Sequence, residues 1–133
     1  MKNGDMAAIG KIARFLHGRK QVAGCSGHQL HVPGKCEEAR LKLDYHFKTI
    51  NTANYHCDDP GKVVEFMQKV KAPWIAFKVL AAGAVNPTKG FKYALKGGAD
   101  FMCVGMFDFQ IKDDVQIVNG IFARGLKRNR PWA

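Results

Sequence analysis

Apolar positions along the chain follow two alternating rhythms. Met6, Ile9, Ile12, Ala13 and Leu16 return every three or four residues, with Lys11 and Arg14 between them, which predicts a helix over about 5–17. Asp5 suits its N-cap and Gly18 its stop. Gln21 to His28 reads as a short buried strand ending in a polar turn. His31-Val32-Pro33-Gly34 leads into a helix running to about Leu43, with Pro33 in its first turn. Tyr45 to Asn51 predicts a second strand, and Thr52 to Asp59 a polar loop. Asp58 or Asp59 caps a helix that opens at Pro60 and carries Val63, Val64, Phe66, Met67 and Val70. The third strand spans Trp74 to Ala82. Asn86 as N-cap and Pro87 after it open a helix that Gly97-Gly98 ends. Asp100 to Met106 is the fourth strand, and Asp113 or Asp114 opens a last helix that Gly125 stops.

Short apolar strands alternating with helices predict an α/β protein with a parallel sheet. The strand starts fall about 24 to 29 residues apart, which matches the repeat of a (β/α)8 barrel, whose full size is about 250 residues. The chain therefore reads as one incomplete TIM-barrel domain over residues 1–133: half of a (β/α)8 barrel, four parallel strands with helices, preceded by one helix. An open flavodoxin-like sheet is the alternative. Half a barrel leaves two sheet edges free to pair. The expectation is either a homodimer completing a barrel or a chain lacking an N-terminal half, and the leading helix without a preceding strand favours the second.

Composition narrows the class. With 47% hydrophobic and 24% charged residues the chain resembles soluble globular proteins, and no apolar run reaches the roughly 18 to 20 residues of a membrane span. The basic N-terminus is amphipathic and lacks an uninterrupted apolar core, so it does not read as a secretory signal. Cys25, Cys36, Cys57 and Cys103 contain no CxxC pair, which points to reduced thiols and a cytoplasmic protein. The net charge of +10 is spread over the predicted helices and closes in a cluster at Arg124, Lys127, Arg128 and Arg130. That pattern reads as solvated faces and a frayed basic tail. Without an aromatic-basic motif it argues against a nucleic-acid partner and leaves a small phosphorylated metabolite as the expected anion.

In both candidate folds ligands bind at the carboxyl ends of the strands. Those ends carry His28, Lys48 to Asn51, Lys78 through Ala84, and Gly105 to Asp108. Lys48 and Lys78 occupy equivalent places in successive strands. If both face the barrel interior, desolvation and like charge lower a lysine pKa, and a neutral lysine can form a Schiff base with a carbonyl. The opposing reading pairs each lysine with a carboxylate or turns it outward. His28 follows a strand directly and is the histidine best placed to touch a ligand; Asn51, Asn54 and Asp108 are placed for hydrogen bonding. His28, His31, His46 and His56, with Asp58 and Asp108, lack the spacing of a metal motif, so no metal and no cofactor are expected and each histidine reads as a polar loop residue. Met106, Phe107 and Phe109 suit core packing around a turn.

FKTIN, then FKVLAAGA, then GGADFMCVG resembles the C-terminal half of class I aldolases of the deoxyribose-phosphate type. The resemblance implies a lyase acting on a small phosphorylated carbonyl compound. It implies Lys48 as Schiff-base nucleophile, Lys78 as the neighbour that lowers its pKa, and Gly83 and Gly105 as phosphate contacts through backbone amides. His28, Asn51, Ala84 and Asp108 complete the expected substrate contacts. Ile50-Asn51 stands where that family has a Ser/Thr-Gly-rich run, and the family's acidic proton relay comes from a strand outside this chain. IAFKVLAAGA, GADF and VGMFDFQ, together with GHQLHVPGKCEEA, are also similar to a family of uncharacterised bacterial barrel proteins of about twice this length, which implies the barrel but no reaction. A phosphate-binding barrel without lysine chemistry, whether an isomerase or a binding module, and an inactive or self-assembling half barrel are the alternatives.

Overall fold

A computed structural model describes residues 5–133 except the side chain of Asp5, so the N-cap expected at Asp5 lies outside the described residues. In chain order the elements are α1 (Asp5–Gly18), β1 (Gly24–Gly27), α2 (His31–Glu38), β2 (Tyr45–Thr49), α3 (Pro60–Met67), β3 (Trp74–Phe77), α4 (Pro87–Gly97), β4 (Phe101–Cys103) and α5 (Ile111–Ala123). Short 3-10 turns lie at Ala81–Gly83 and Asp108–Gln110. The four strands form one parallel sheet in the order β1-β2-β3-β4. This is an α/β fold consistent with half of a (β/α)8 barrel. The sequential order departs from the flavodoxin-like arrangement, in which the first strand lies inside the sheet.

Crossovers of one hand between sequential parallel strands place their helices on one face of the sheet. Burial follows that rule. His46 pairs in register with Trp74 and Lys48 with Ala76, and all four are buried on the helix-covered face. Phe47, Ile75 and Phe77 alternate to the opposite face and are only half-buried, while Phe101 on β4 is 62% exposed. Among the described residues β1 and β4 each pair on one side only. The face left open is the one that an eight-stranded barrel would enclose.

The core lies between sheet and helices. Trp74, fully buried, sits in one cluster with Val63 and Met67 of α3, Phe91 and Leu95 of α4 and Ile121 of α5. Its Nε1 donates to the Lys48 carbonyl at 3.1 Å, so the ring's polar end is also satisfied. Among the described residues no helix is long and apolar enough to cross a membrane.

Element ends fall where the capping chemistry puts them. Asp59 accepts from the Lys62 amide at 2.9 Å and starts α3, while Asp58 turns elsewhere. Asn86 accepts from the Thr88 amide at 3.0 Å with Pro87 next, and Gly98 at φ +110° closes α4. Other ends differ from expectation. Helix α2 stops at Glu38, not Leu43, because Arg40 turns left-handed (φ +49°) and the Leu41 amide folds back onto the Cys36 carbonyl. Helix α1 includes Gly18, and its left-handed residue is Lys20 (φ +58°). Strand β3 ends at Phe77 because Lys78 is already left-handed (φ +58°). Helix α5 starts at Ile111, ahead of Asp113 and Asp114, which lie in its first turn where the helix dipole favours acids. Strand β4 is confined to three residues, and beyond it Phe107 and Phe109 are 70% and 74% exposed and stack with centroids 5.5 Å apart. The core packing expected of GMFDF is therefore absent: the strand ends before it, and the segment stands on the surface.

Candidate functional site

The loop after β3 is the most strained segment near the carboxyl ends of the strands. Lys78, Ala81, Ala82 and Gly83 all have positive φ. Each non-glycine residue in that region costs roughly 1–2 kcal/mol. The loop is closed by its own hydrogen bonds, Ala81 N to Lys78 O (2.9 Å), Gly83 N to Leu80 O (2.9 Å) and Ala84 N to Ala81 O (3.2 Å). With the segment after β4 it surrounds a cavity of about 570 Å³. Lys78, Gly83 and Gly105 line it, with apolar walls from Phe77, Leu80, Met106 and Phe107. Open space faces both Gly83 and Gly105: a Cβ built on either meets nothing within 4 Å.

Lys78 is exposed, and its ammonium stands 5.6 Å from the centroid of the Tyr55 ring. On that side a second cavity, of about 500 Å³, is lined by His28, Asn54, His56, Cys57 and Asp58. The His28 ring lies 5.4 Å from His56 and 5.1 Å from Phe77 between centroids, and its Nδ1 shares a hydrogen bond of 2.8 Å with Thr49 Oγ1. Partial desolvation, then the neighbouring His56, Lys78 and Lys48, hold the His28 imidazole below its usual range. The rim thus combines an exposed cation with an imidazole biased toward its neutral form.

The lysines expected to act together are placed differently. Lys48 lies on the helix-covered face, its side chain 1% exposed. Its ammonium donates to the carbonyls of His28 (2.6 Å) and Thr49 (3.1 Å) and lies 3.4 Å from Asp58 Oδ2. Burial lowers its pKa, and Cys57 and Asp58 oppose that shift. Asn51 is also occupied: its Oδ1 accepts from the amides of Ala53 (3.1 Å) and Tyr55 (3.0 Å), and its Nδ2 donates to the Tyr55 carbonyl (2.8 Å). It shapes the loop that carries Tyr55 and His56. Ala84 and Asp108 are exposed outside the lining of either cavity, and Asp108 Oδ1 accepts from the Phe109 amide at 2.8 Å. The structure therefore brings Lys78, Gly83 and Gly105 around one cavity and His28 to its neighbour, while Lys48 and Asn51 support the loops from below. Thr49, inside the strand end expected at Lys48 to Asn51, and Tyr55, which carries no sequence signal of its own, join the rim. Among the described residues no three His, Cys, Asp or Glu side chains are grouped to hold a metal.

A second constellation lies near the amino ends of the strands. His46 lies in β2, inside the strand expected over Tyr45 to Asn51, but it is fully buried and not the polar loop residue that its type suggested. Its Nδ1 is 3.0 Å from Cys25 Sγ and its Nε2 is 2.6 Å from Glu37 Oε1. The order thiol, imidazole, carboxylate resembles an activated nucleophile, yet the thiol is pushed away from ionisation. Burial first, then Cys36 and Glu37, raise Cys25 to about 12 from the ordinary 9.0. The cluster ties β1, β2 and α2 together. Its signature is pH-dependent stability. An unfolded Cys25 ionises near 9.0 and the folded one near 12, so the stability it contributes is intact below 9.0 and declines as pH rises towards 12. Cys36 and Cys57 are raised as well and act in the same direction. Urea midpoints measured stepwise through this window are expected to fall, and Cys25→Ala to flatten the decline; an unchanged slope in that variant would remove Cys25 as a source.

The chain was compared with protein-family models, curated proteins and solved structures, and nothing matches it.

Proposed function

We propose that the rim at the carboxyl ends of β3 and β4 binds a small phosphorylated carbonyl compound, with Lys78 as its cationic contact. The observation that carries this reading is the position of Lys78, exposed at the strand end beside a cavity of about 570 Å³ with Gly83 and Gly105 in its lining. A phosphate can approach backbone closely where no Cβ stands in the way, and the apolar walls suit a short carbon skeleton. The Gly83 amide already donates to Leu80 O, so the anion's main attraction in this reading is the lysine rather than that amide. The strained loop supports the same location, since such backbone is retained where function requires it.

A second reading, a lyase of the aldolase type, is favoured by the same lysine together with His28. In it His28 takes a proton from the Lys78 ammonium, the freed amine adds to the carbonyl, and the imidazolium returns the proton as the carbinolamine loses water, leaving a protonated imine. One experiment separates the readings. The chain is titrated with a three-carbon phosphorylated aldehyde, then treated with borohydride and mapped by mass spectrometry. Saturable binding that Lys78→Gln weakens by about ten-fold, without an adduct, supports the binding site. A reduced adduct on Lys78 supports the lyase. Binding indifferent to Lys78→Gln, or an adduct on Lys48 alone, would sink both.

A further inference from the structure

A group of exposed cations without ion-pair partners among the described residues lies on the helix layer, away from the rim. Thr88, Lys92 and Lys96 stand four residues apart on α4 and form one stripe. Together with Arg124 and Lys127, from the segment that ends α5, they line a cavity of about 550 Å³ whose apolar lining includes Ile121. Gly125, left-handed at φ +73°, turns the chain between the two basic residues. All four cations are exposed, no carboxylate lines the cavity, and none of the four enters an ion pair among the described residues.

A solvated basic face would explain single lysines, and the C-terminal dipole of α4 would explain Lys96. Neither explains why cations from two separate segments share one concave volume. Like charges four residues apart on a helix destabilise it, and the Arg124 and Lys127 charges add to that repulsion. The wall that holds them is pinned. The Asn129 amide donates to the Lys96 carbonyl at 2.8 Å, and Arg128 and Arg130 of the same segment are anchored on Asp100. The backbone on both sides of the cavity is thus held together, and an anion of several charges would relieve the repulsion among the exposed cations it carries.

We propose that this cavity binds a small molecule carrying two or more adjacent phosphates. A single phosphate would meet fewer of the cations, whereas linked phosphates can engage both segments, with the Thr88 hydroxyl as a further donor. A nucleic-acid backbone calls for cations strung along a track; here they converge on one volume. The site shares no residue with the rim cavity, so it stands or falls independently of the reading given above.

Calorimetric titration of the full chain with inorganic tripolyphosphate, against inorganic phosphate at matched ionic strength, tests it. Tripolyphosphate is expected to bind one to one, at least about ten-fold tighter than phosphate. Lys92→Gln and Arg124→Gln are each expected to weaken it about five-fold, while Lys11→Gln and Lys42→Gln, exposed elsewhere, leave it within about two-fold. These titrations are run in a Lys78→Gln background, which removes the cation of the rim and leaves this cavity as the site read. All these side chains are exposed, so thermal melts of the variants should match the parent. Equal weakening by the distant pair, binding of several ions per chain, or tighter binding of a single-stranded oligonucleotide through the same residues would overturn the proposal.

Discussion

Replacing Asp100 with alanine is expected to cost about 3–5 kcal/mol of folding stability, read from urea unfolding by linear extrapolation. The carboxylate is the hub of a buried network. Oδ1 accepts from Arg128 Nη2 at 2.9 Å and from the Ala133 amide at 3.1 Å. Oδ2 accepts from the Trp74 amide at 2.8 Å and lies 3.2 Å from Arg130 Nη2. The aspartate side chain is 4% exposed and the two arginines 7% and 5%. Alanine would leave two guanidiniums buried without a counter-charge, one of which already has an unpartnered Nη1. Set against a typical total of about 5–15 kcal/mol, that loss is a large share. Arg130→Met should cost much less, because it removes the orphaned nitrogen together with the charge and leaves Asp100 paired to Arg128. A loss below about 1 kcal/mol in Asp100→Ala, within the range of ordinary surface substitutions and small deletions, would show that the C-terminal segment is not held this way in solution.

That network also marks where sequence reasoning stopped. Arg128 and Arg130 look like the rest of a basic tail, and nothing local tells them from Arg124 and Lys127. Their partner lies about 30 residues away at the start of β4, and only the parallel sheet brings the two ends together. Local rules did well where the chemistry is local. Asn86-Pro87 and Gly98 bound α4, and Asp59-Pro60 opens α3, because capping needs only near neighbours. They failed at Lys20, Arg40, Lys78, Ala81 and Ala82, left-handed residues without the glycine that usually announces such a turn. The strand after Trp74 therefore looked longer than it is: Val79 and Leu80 are apolar, but they follow the turn. The same turn separates the two lysines. Alternation along β2 and β3 gave them matching positions, and the break at Lys78 frees its side chain to the rim, while Lys48, on the same face as His46, stays beneath the helices. The parity of Lys48 was legible; which face the helices cover was not, because that depends on the hand of the crossovers and on all four strands at once.

The contrast between the two lysines yields the second large effect. Lys48→Met is expected to cost about 2–4 kcal/mol, whereas Lys78→Met should change stability by no more than about 0.5 kcal/mol. Methionine keeps most of the Lys48 stem but removes three partners at once. The carbonyls of His28 and Thr49 lose their donor, and Asp58 keeps only the Leu30 amide, at 2.6 Å. Part of the loss is offset because Asp58 is 31% exposed and can be rehydrated, which places the estimate below that for Asp100. Alkaline titration gives an independent sign. Burial lowers the folded pKa of Lys48 below the ordinary 10.5. Between the lowered value and 10.5 the unfolded chain holds a proton that the folded chain has lost, so this lysine's contribution to stability rises with pH there. Cys25 acts in the opposite direction over its own window above 9.0, so the comparison belongs in a Cys25→Ala background, where Lys48→Met should remove the rising component. Binding at the rim should divide the other way. Lys78→Met weakens it and leaves the fold intact, while Lys48→Met, studied below its denaturation midpoint, leaves affinity within about two-fold. If Lys48→Met instead abolished a borohydride-trapped adduct without loss of stability, Lys48 would be a reacting group rather than the support that its two carbonyls and Asp58 make of it.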